Sequence, residues 1–496
     1  MKSDTMESFT KENGFFWPAA EIYGGVAGFY DYGHIGALLK KRFENAWLSF
    51  FVDNIENAYL LDGAFVLPEK PLIASGHVKL FNDIIVSCQK CKTYYRADIL
   101  LGDLGVRIEE GAQADEVNKI CDEKQVKCPK CSGKVYDAKP FNLMFELGVG
   151  PDKSQKSYLR PETAQTSYLN FKREFNLLRR KLPLGLAIIG KAYRNEIAPR
   201  QGLYRLRELT QAELQYFFDP ETFDKKIPEK MLNRVINVTR DSKKEVESMS
   251  ISQFIKEFNV PSFYAYYLCY VHIFYTEVLK FPKEKLRFLE KAGVNRSFYN
   301  KVHFDIEADI ESWGGFKEIG GMHYRGDYDL TSHSNGSGED LSVNFNGKKV
   351  LPHVLEMSFG VDRNVWSLVD LLYDKEGERE YLKFPGYIAP FSAAVFPLQN
   401  DEKLVEQAHS IYDALKGRVK SFYDETASIG KRYARQDVIG TKYCITVDFD
   451  TINKESENFG TVTVRERDSK NQQRIKIDEL VGFVVNGTDL IPSKFV

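Results

Sequence analysis

Residues 190–218, GKAYRNEIAPRQGLYRLRELTQAELQYFF, gather four arginines and three glutamates around one short loop. An arginine fork such as Arg194 suits a phosphate bidentately, and Arg200, Arg205 and Arg207 could hold the rest of a polyphosphate. The chemistry suggested is ATP binding. The plain alternative is a surface hairpin laced with exposed ion pairs, which contribute little. The choice between them depends on the elements around the loop.

Those elements read as an antiparallel hairpin. Before the loop, Leu186, Ile188, Gly190, Ala192 and Arg194 alternate onto one face, and the small residues leave room beside Arg194. After it, Thr210, Ala212, Leu214, Tyr216 and Phe218 make an apolar face, with Gln211, Glu213 and Gln215 opposite. Upstream, Arg160 and Glu162 flank a proline that fixes the backbone; the pair can bind an amino acid zwitterion or each other. Downstream, the acidic residues of 303–341 could hold Mg2+ against a polyphosphate, since magnesium prefers carboxylate oxygens, though acidic loops are also commonly just solvated.

At 496 residues the chain is too long for one ordinary core, so two large domains plus insertions are expected. No apolar run reaches membrane-spanning length, and the N-terminal stretch carries neither a signal-peptide core nor an Arg-rich transit pattern, which points to the cytosol. A net charge of -2 gives no global field for a polyanion, so a nucleic-acid surface must come from local patches.

Four of the seven cysteines form two C-x2-C knuckles, Cys88/Cys91 and Cys128/Cys131, the second followed by Ser132 and Gly133, which permit a tight turn. In a cytosolic chain such spacing indicates metal before disulfide, with structural zinc the first reading and a lost site or redox thiols the others. Cys121, Cys269 and Cys444 stand alone as core residues.

Residues 36–51 read as a helix with Leu39, Phe43, Ala46, Trp47 and Phe50 on one broad apolar face, a core face in its own right. His77 reads as a hydrogen-bonded structural residue. Residues 221–300 read as a lysine-rich insertion whose aromatic stretch FYAYYLCYVHIFYTEVL is a buried helix rather than a base-stacking platform, because basic residues do not interleave with it. After a short strand, a helix begins at Asp362 and Arg363. From residue 388 strands and helices alternate as in a small α/β unit, with 15 Lys+Arg against 16 Asp+Glu from Pro385 onward; only Lys431, Arg432 and Arg435 form a compact basic turn.

Taken together, GFYDYGHIG with its helix, YRNE with GLYRLRE, and SFGVDR resemble motifs 1, 2 and 3 of the dimeric class II glycyl-tRNA synthetases. LRPETAQ, EIGGMHYRGDYDL and GKRYARQDVIGTKYCITVDFDT extend the resemblance over nearly the whole chain. It implies an α+β fold: an antiparallel sheet flanked by helices, with zinc-ribbon-like and helical insertions and a C-terminal α/β anticodon-binding domain. The implied division is 1–87, catalytic core with motif 1; 88–134, zinc-ribbon-like insertion; 135–220, core with motif 2; 221–300, helical insertion; 301–375, core with motif 3; 376–387, linker; 388–496, anticodon-binding domain.

The resemblance also implies roles. Arg194 matches the arginine on the ATP α-phosphate, Glu196 the adenine reader, Arg205 the γ-phosphate contact and Arg363 the motif 3 arginine on adenine and γ-phosphate. Glu318 and Ile319 fall on the ATP and Mg2+ strand with Arg325 nearby, and Asn195, Leu203, Tyr204, Arg207, Glu208, Leu209 and Gly360 complete the ATP set. Arg194, Arg363 and Glu318 form the catalytic group, while Arg96, Glu162, Glu213, Glu356 and Ser358 match the glycine pocket. The implied partners are glycine, glycine tRNA and a second copy docking through motif 1, a cytoplasmic assembly with no membrane or DNA contact. That pairing makes the 36–51 helix a partner surface as well. Two departures stand out. RELT replaces REFT, so Leu209 occupies the place of an aromatic that stacks on adenine and ATP is expected to be held less tightly. EMSFG replaces EPSFG, so Met357 stands where a proline would stiffen the pocket turn. Two other readings remain: a ligase that passes its aminoacyl adenylate to an acceptor other than tRNA, and a non-catalytic RNA-binding paralogue.

Overall fold

The computed structural model describes residues 3–488 except 107, 109–112, 198, 200, 244, 294–295 and 298, so Arg200 lies outside the described residues. Alternation in the two arms of the motif 2 hairpin does produce paired strands, and a nine-stranded sheet is assembled on them. In chain order its strands are β1 (Ala58–Leu60), β2 (Leu184–Tyr193), β3 (Glu208–Phe218), β4 (Val235–Thr239), β5 (Glu247–Ser250), β6 (Leu286–Glu290), β7 (Val302–Ile310), β8 (Gly315–Gly326) and β9 (His353–Gly360). Across the sheet they run β5-β4-β6-β7-β8-β9-β3-β2-β1. Neighbours are antiparallel except β1 with β2 and β4 with β6.

Four helices matter for the site: α1 (His34–Leu48), α2 (Ala164–Leu177), α3 (Ser262–Ile273) and α4 (Val361–Leu372). One face of the sheet, carrying Ala212, Leu214 and Tyr216 of β3 with Met357 and Phe359 of β9, is buried under α1, α3 and α4. The other face of β3 carries Gln211, Glu213 and Gln215, with α2 beside it through Tyr168 and Phe171, which pack near Phe217. A strand buried on both sides with polar residues on one of them must supply those residues with partners, because burying a charge unpaired is costly.

The apolar stripe of α1 is core. Leu39, Phe43, Ala46 and Trp47 are fully buried within the chain, with Trp47 against Phe359 and Phe43 against Phe274. That face is therefore not available to a partner, contrary to the reading that the resemblance suggested. The aromatic helix α3 is buried as expected; its Tyr264 hydroxyl donates to the Met322 carbonyl and its Tyr270 hydroxyl to the Phe50 carbonyl.

Residues 221–300 contain the expected helices but do not stand apart as an insertion. They contribute β4, β5 and β6 to the main sheet and α3 to its core. The strands escaped notice because they are only four or five residues long, too short for alternation to stand out. Residues 376–387 are likewise no free linker. They include the strand Arg379–Leu382, paired with Tyr373–Glu376, and then bury Leu382 and Phe384 in the main core, while the Tyr387 hydroxyl donates to the Val278 carbonyl at 2.8 Å.

The cysteine module is a three-stranded sheet, Tyr94–Arg96, Asn82–Cys88 and Val135–Asn142, with two helices, Ala97–Gly102 and Ala114–Glu123, and its own small core. The C-terminal unit has a five-stranded sheet in which Ala393–Pro397 lies between Ser421–Tyr423 and Tyr443–Val447, all parallel, with two antiparallel strands beyond. Among the described residues no helix is long and apolar enough to cross a membrane.

In that unit one member of the compact basic turn, Arg432, proves to be structural, while Lys431 and Arg435 are exposed. Arg432, on α5 (Ile429–Val438), is 2% exposed and donates to the carbonyls of Pro397 and Leu398, while Arg435 pairs with Asp424 at 2.9 Å. Replacing Arg432 by alanine strands buried carbonyls, so Arg432→Ala is expected to destabilise this unit by about 2–3 kcal/mol. Thermal unfolding of the full chain checks this; an unchanged transition would assign Arg432 to the surface instead.

Candidate active site

A cavity of about 210 Å³ opens on the polar face of the sheet, between the motif 2 hairpin, β8 and β9. Its arginine half is lined by Arg194, Arg205 and Arg363 together with Leu203, Tyr204 and Leu209. Arg194 spends only its Nε, on the Pro161 carbonyl at 3.1 Å, so no hydrogen bond among the described residues uses its terminal nitrogens. Arg363 is set from three sides: Nε donates to the Tyr204 carbonyl, Nη1 to the Glu318 carbonyl, both at 3.0 Å, and the guanidinium lies 4.7 Å over the Tyr204 ring. Its ion pair with Glu318 spans 3.1 Å. At the far side Glu196 keeps one buried carboxylate oxygen without a hydrogen bond, with Arg96 at 3.8 Å.

The other half is a cluster of carboxylates. Glu162, Glu213 and Glu356 all line it, and each is handled differently. Glu356 is compensated by Arg325 at 3.2 Å and accepts further from Gln215 and Tyr168. Glu162 faces His77 at 3.5 Å and accepts from Gln165 at 2.8 Å. Glu213 accepts from the hydroxyls of Thr163 at 2.6 Å and Ser358 at 2.8 Å and forms no ion pair among the described residues, the buried Arg160 acting on it only from farther off.

The electrostatics follow from these partners. Burial pushes the Glu213 carboxyl up to about 8, with Glu356 and Glu162 adding to it. Burial also raises Glu356, against the pull of Arg325. For Glu162 burial is the largest influence and is upward, but His77, Arg325 and Gln165 together hold it below its ordinary value. His323, which also lines the cavity, is kept well below its usual value by burial and by the charges of His303 and Arg325. The site thus combines free arginine forks with a buried acid lacking a counter-ion, a shape suited to a polyphosphate beside a small cation.

Residues 145–371 match the family described as tRNA synthetase class II core domain (G, H, P, S and T), and residues 392–487 match the anticodon binding domain family. The chain is 37% identical to a glycine–tRNA ligase of Pyrococcus horikoshii over 97% of each chain. It is 35% identical to the one from Aeropyrum pernix over 97% of this chain and 96% of that one. This chain belongs to the glycine–tRNA ligase family. Among solved structures, the prolyl-tRNA synthetase of Cryptosporidium parvum, complexed with L-proline and AMP, superposes with a TM-score of 0.58. It covers 98% of this chain and 74% of its own at 13% identity, a likeness of fold.

In this ligase the expected residues divide. Arg194, Glu196, Leu203, Tyr204, Arg205, Leu209, Glu318, Gly360 and Arg363 line the arginine half of the cavity, and Glu162, Glu213, Glu356 and Ser358 the carboxylate half. Arg325, expected on the nucleotide, also lines the cavity and is at the same time held by Asp329 bidentately at 2.7 and 2.9 Å and by Glu356. Arg96, expected on the amino acid, pairs with Asp83 and Asp98, both at 2.7 Å, and lies outside the cavity lining. Arg207 donates to the carbonyls of Glu196 and Ala27 and so braces the loop; Glu208 pairs outward with Lys191. The backbone N–H of Asn195 donates to the Leu143 carbonyl, and the Ile319 side chain is buried in the core. Asp305, Glu307 and Asp309 are each neutralised by a nearby Lys or Arg, leaving Glu318 as the acid of β8 on the cavity.

Arg160 does not pair with Glu162. Fully buried, it donates to the carbonyls of Lys191 and Gly63, and its Nη2 lies where a Cβ at position 190 would be, 2.2 Å away. Gly190 is therefore needed by Arg160 rather than by Arg194. Two contributors were missed from sequence. The His77 imidazole stands 3.5 Å from Glu162, and Asp362, at the start of α4, accepts from the hydroxyl of Tyr32, just before α1, at 2.6 Å and from the backbone N–H of Thr210 in the hairpin. Asp362 was at least visible as the acid of a helix first turn.

Elsewhere, Cys88, Cys91, Cys128 and Cys131 place their sulfurs within 4.8 Å of one another and could hold a metal ion. Ser132 does adopt the left-handed turn, at φ 56, but Gly133 serves another purpose: a Cβ there would sit 3.0 Å from the Cys88 sulfur.

Proposed function

We propose that this chain is a cytoplasmic glycine–tRNA ligase: it activates glycine with ATP and then transfers the glycyl group to the 3′ end of glycine tRNA. The observation that carries this reading is Glu213, a buried carboxylate with no cationic partner among the described residues, set beside free arginine forks. A glycine ammonium supplies the missing charge.

In this reading Arg194 takes the α-phosphate, Arg205 and Arg363 the γ end, and the unsatisfied oxygen of Glu196 accepts from the adenine amino group. Leu209 gives the base an aliphatic contact. Arg96 steadies Glu196, and Arg325 keeps Glu356 in place. A glycine carboxylate oxygen bonds to the α-phosphorus as the bond to pyrophosphate breaks, and Arg194 neutralises the charge that develops. A terminal tRNA hydroxyl then attacks the carbonyl carbon; AMP leaves and the hydroxyl proton goes to solvent. Positioning and charge do the work, and a filled pocket rejects larger amino acids by overlap. Mg2+ beside Glu318 would screen the polyphosphate.

The C-terminal unit is assigned to the anticodon, the nine-stranded sheet to chemistry and the cysteine module to structure. Four thiolates around zinc at about 2.3 Å lie about 3.8 Å apart, and the Cys88–Cys131 and Cys91–Cys128 sulfurs stand at 3.4 and 3.6 Å. Protein purified without chelator is expected to carry one zinc per chain, and a value under about half an equivalent would sink that assignment. A homodimer is assigned to the exposed apolar residues Ile22, Tyr23, Tyr59 and Leu60 rather than to the buried stripe of α1. Sedimentation equilibrium should return twice the 57.0 kDa chain mass.

The decisive experiment is ATP/pyrophosphate exchange across glycine, alanine and serine, followed by tRNA charging and cell fractionation. Exchange with glycine alone, with charging, is expected. Exchange without charging would favour an acceptor other than tRNA; no exchange would leave a non-catalytic paralogue.

A further inference from the structure

A second cavity, of about 330 Å³, opens where β4 meets the C-terminal end of α3, and Lys230, Arg234, Val235, Asn237, His272 and Lys283 line it. The lining holds three cations and no carboxylate. Lys230 and Lys283 are exposed and make no ion pair among the described residues.

Arg234 is fixed before any ligand arrives. Its Nε donates to His272 Nδ1 at 2.9 Å, and its Nη2 donates to Thr276 at 3.1 Å and to Glu277 at 2.6 Å, leaving Nη1 unused among the described residues. Because Nδ1 accepts, the imidazole carries its proton on Nε2, which has no partner among the described residues although the side chain is only 2% exposed. Burial, then the charges of Arg234 and Lys283, push His272 down to about 3, so it stays a neutral donor. Asn237 serves the frame, its amide donating to the carbonyls of Lys283 and Leu286.

A preset guanidinium nitrogen, a buried imidazole N–H and two unpaired ammonium groups around one hollow match a tetrahedral oxyanion. We propose that this cavity binds a phosphate group, either a backbone phosphate of the RNA substrate or a free phosphate anion. The first source rests on the ligase reading above. Two observations favour it. The chain has no overall positive charge, so RNA must be held by local patches such as this one. The cavity also lies beside the junction with the C-terminal unit, where Tyr387 bonds to the Val278 carbonyl.

The test uses the full chain and the double variant Lys230→Ala/Lys283→Ala, at two exposed positions outside the catalytic cavity. Inorganic phosphate is titrated calorimetrically into both proteins, and the KM for tRNA is followed against salt. If the phosphate belongs to RNA, the variant's KM for tRNA rises several-fold at low salt, and the slope of log KM against log salt falls by about one. Glycine-dependent pyrophosphate exchange stays unchanged, and Lys230→Arg/Lys283→Arg retains the wild-type values. If the source is free phosphate, the wild type binds one phosphate more than the variant and the tRNA parameters coincide; the difference is read because the catalytic arginines also attract phosphate. Coincidence in both measurements overturns the proposal. Loss of exchange in the wild type would overturn the ligase reading instead and leave the phosphate comparison intact.

Discussion

Arg194→Ala is expected to lower the rate of glycine-dependent pyrophosphate exchange by roughly 100- to 1,000-fold, the usual cost of removing a preorganised donor from developing charge. The geometry makes this arginine more than a binding residue. Its Nε is anchored on the Pro161 carbonyl and its guanidinium lies over the Phe81 ring at 5.6 Å, leaving the terminal nitrogens without a protein acceptor among the described residues. Arg194→Lys keeps a point charge but loses the fork, and should fall between the two. The measurement is kcat and KM for ATP in the exchange assay. A rise in KM with kcat intact would mean that Arg194 contributes equally to ground and transition states.

The second large effect concerns Glu213. Glu213→Gln should weaken glycine binding roughly 10- to 100-fold, because the ammonium loses a charged acceptor. The same change should stabilise the unliganded protein. With a folded-state value of about 8 against an ordinary 4.5, the acid contributes stability that is fully present below pH 4.5 and lost as pH rises through 8. Above pH 8 the wild type therefore carries the cost of an unpaired buried carboxylate, worth up to a few kcal/mol, and the glutamine does not. Thr163 and Ser358 permit both protonation states, since each hydroxyl can donate to the carboxylate or accept from the acid.

The pH dependence separates this role from a structural one. Glycine binding displaces the proton from Glu213, so wild-type affinity should rise between pH 6.5 and 8 and level off above it, while Glu213→Gln shows no such rise. Calorimetric glycine titrations and melting curves over pH 6–9 give both readings. Parallel pH profiles in the two proteins would remove Glu213 from the ammonium site.

Much of this was legible because the hairpin announces itself. Period-two alternation on either side of the loop fixes which residues share a face, and Gln211, Glu213 and Gln215 do lie together opposite Ala212, Leu214 and Tyr216. Cysteine spacing likewise brought four sulfurs together across intervening residues 92–127. The strands of 221–300 were not legible, because each is short and β4 joins β6 through the distant pair Val238 and Phe288. His77 escaped for the same reason: nothing near it in sequence indicates that it meets Glu162.

By itself, then, the sequence determined the residue types of the site, the hairpin that carries them and the family. The tertiary structure decided which of them act together. Glu318 and His323 are five positions apart on β8, so simple alternation would send them to opposite faces. A bulge at Ile319, where Glu307 pairs with Glu318 and Ile306 with Gly320, adds one residue and brings both to the cavity. Arg325 lines the cavity, but its guanidinium is paired with Asp329 and Glu356, a pairing set by the helix and strand that meet it there. Alternation and motif spacing are local, whereas a register shift and the pairing of buried charges depend on what the neighbouring strands and helices present, and those choices are made only when the sheet closes.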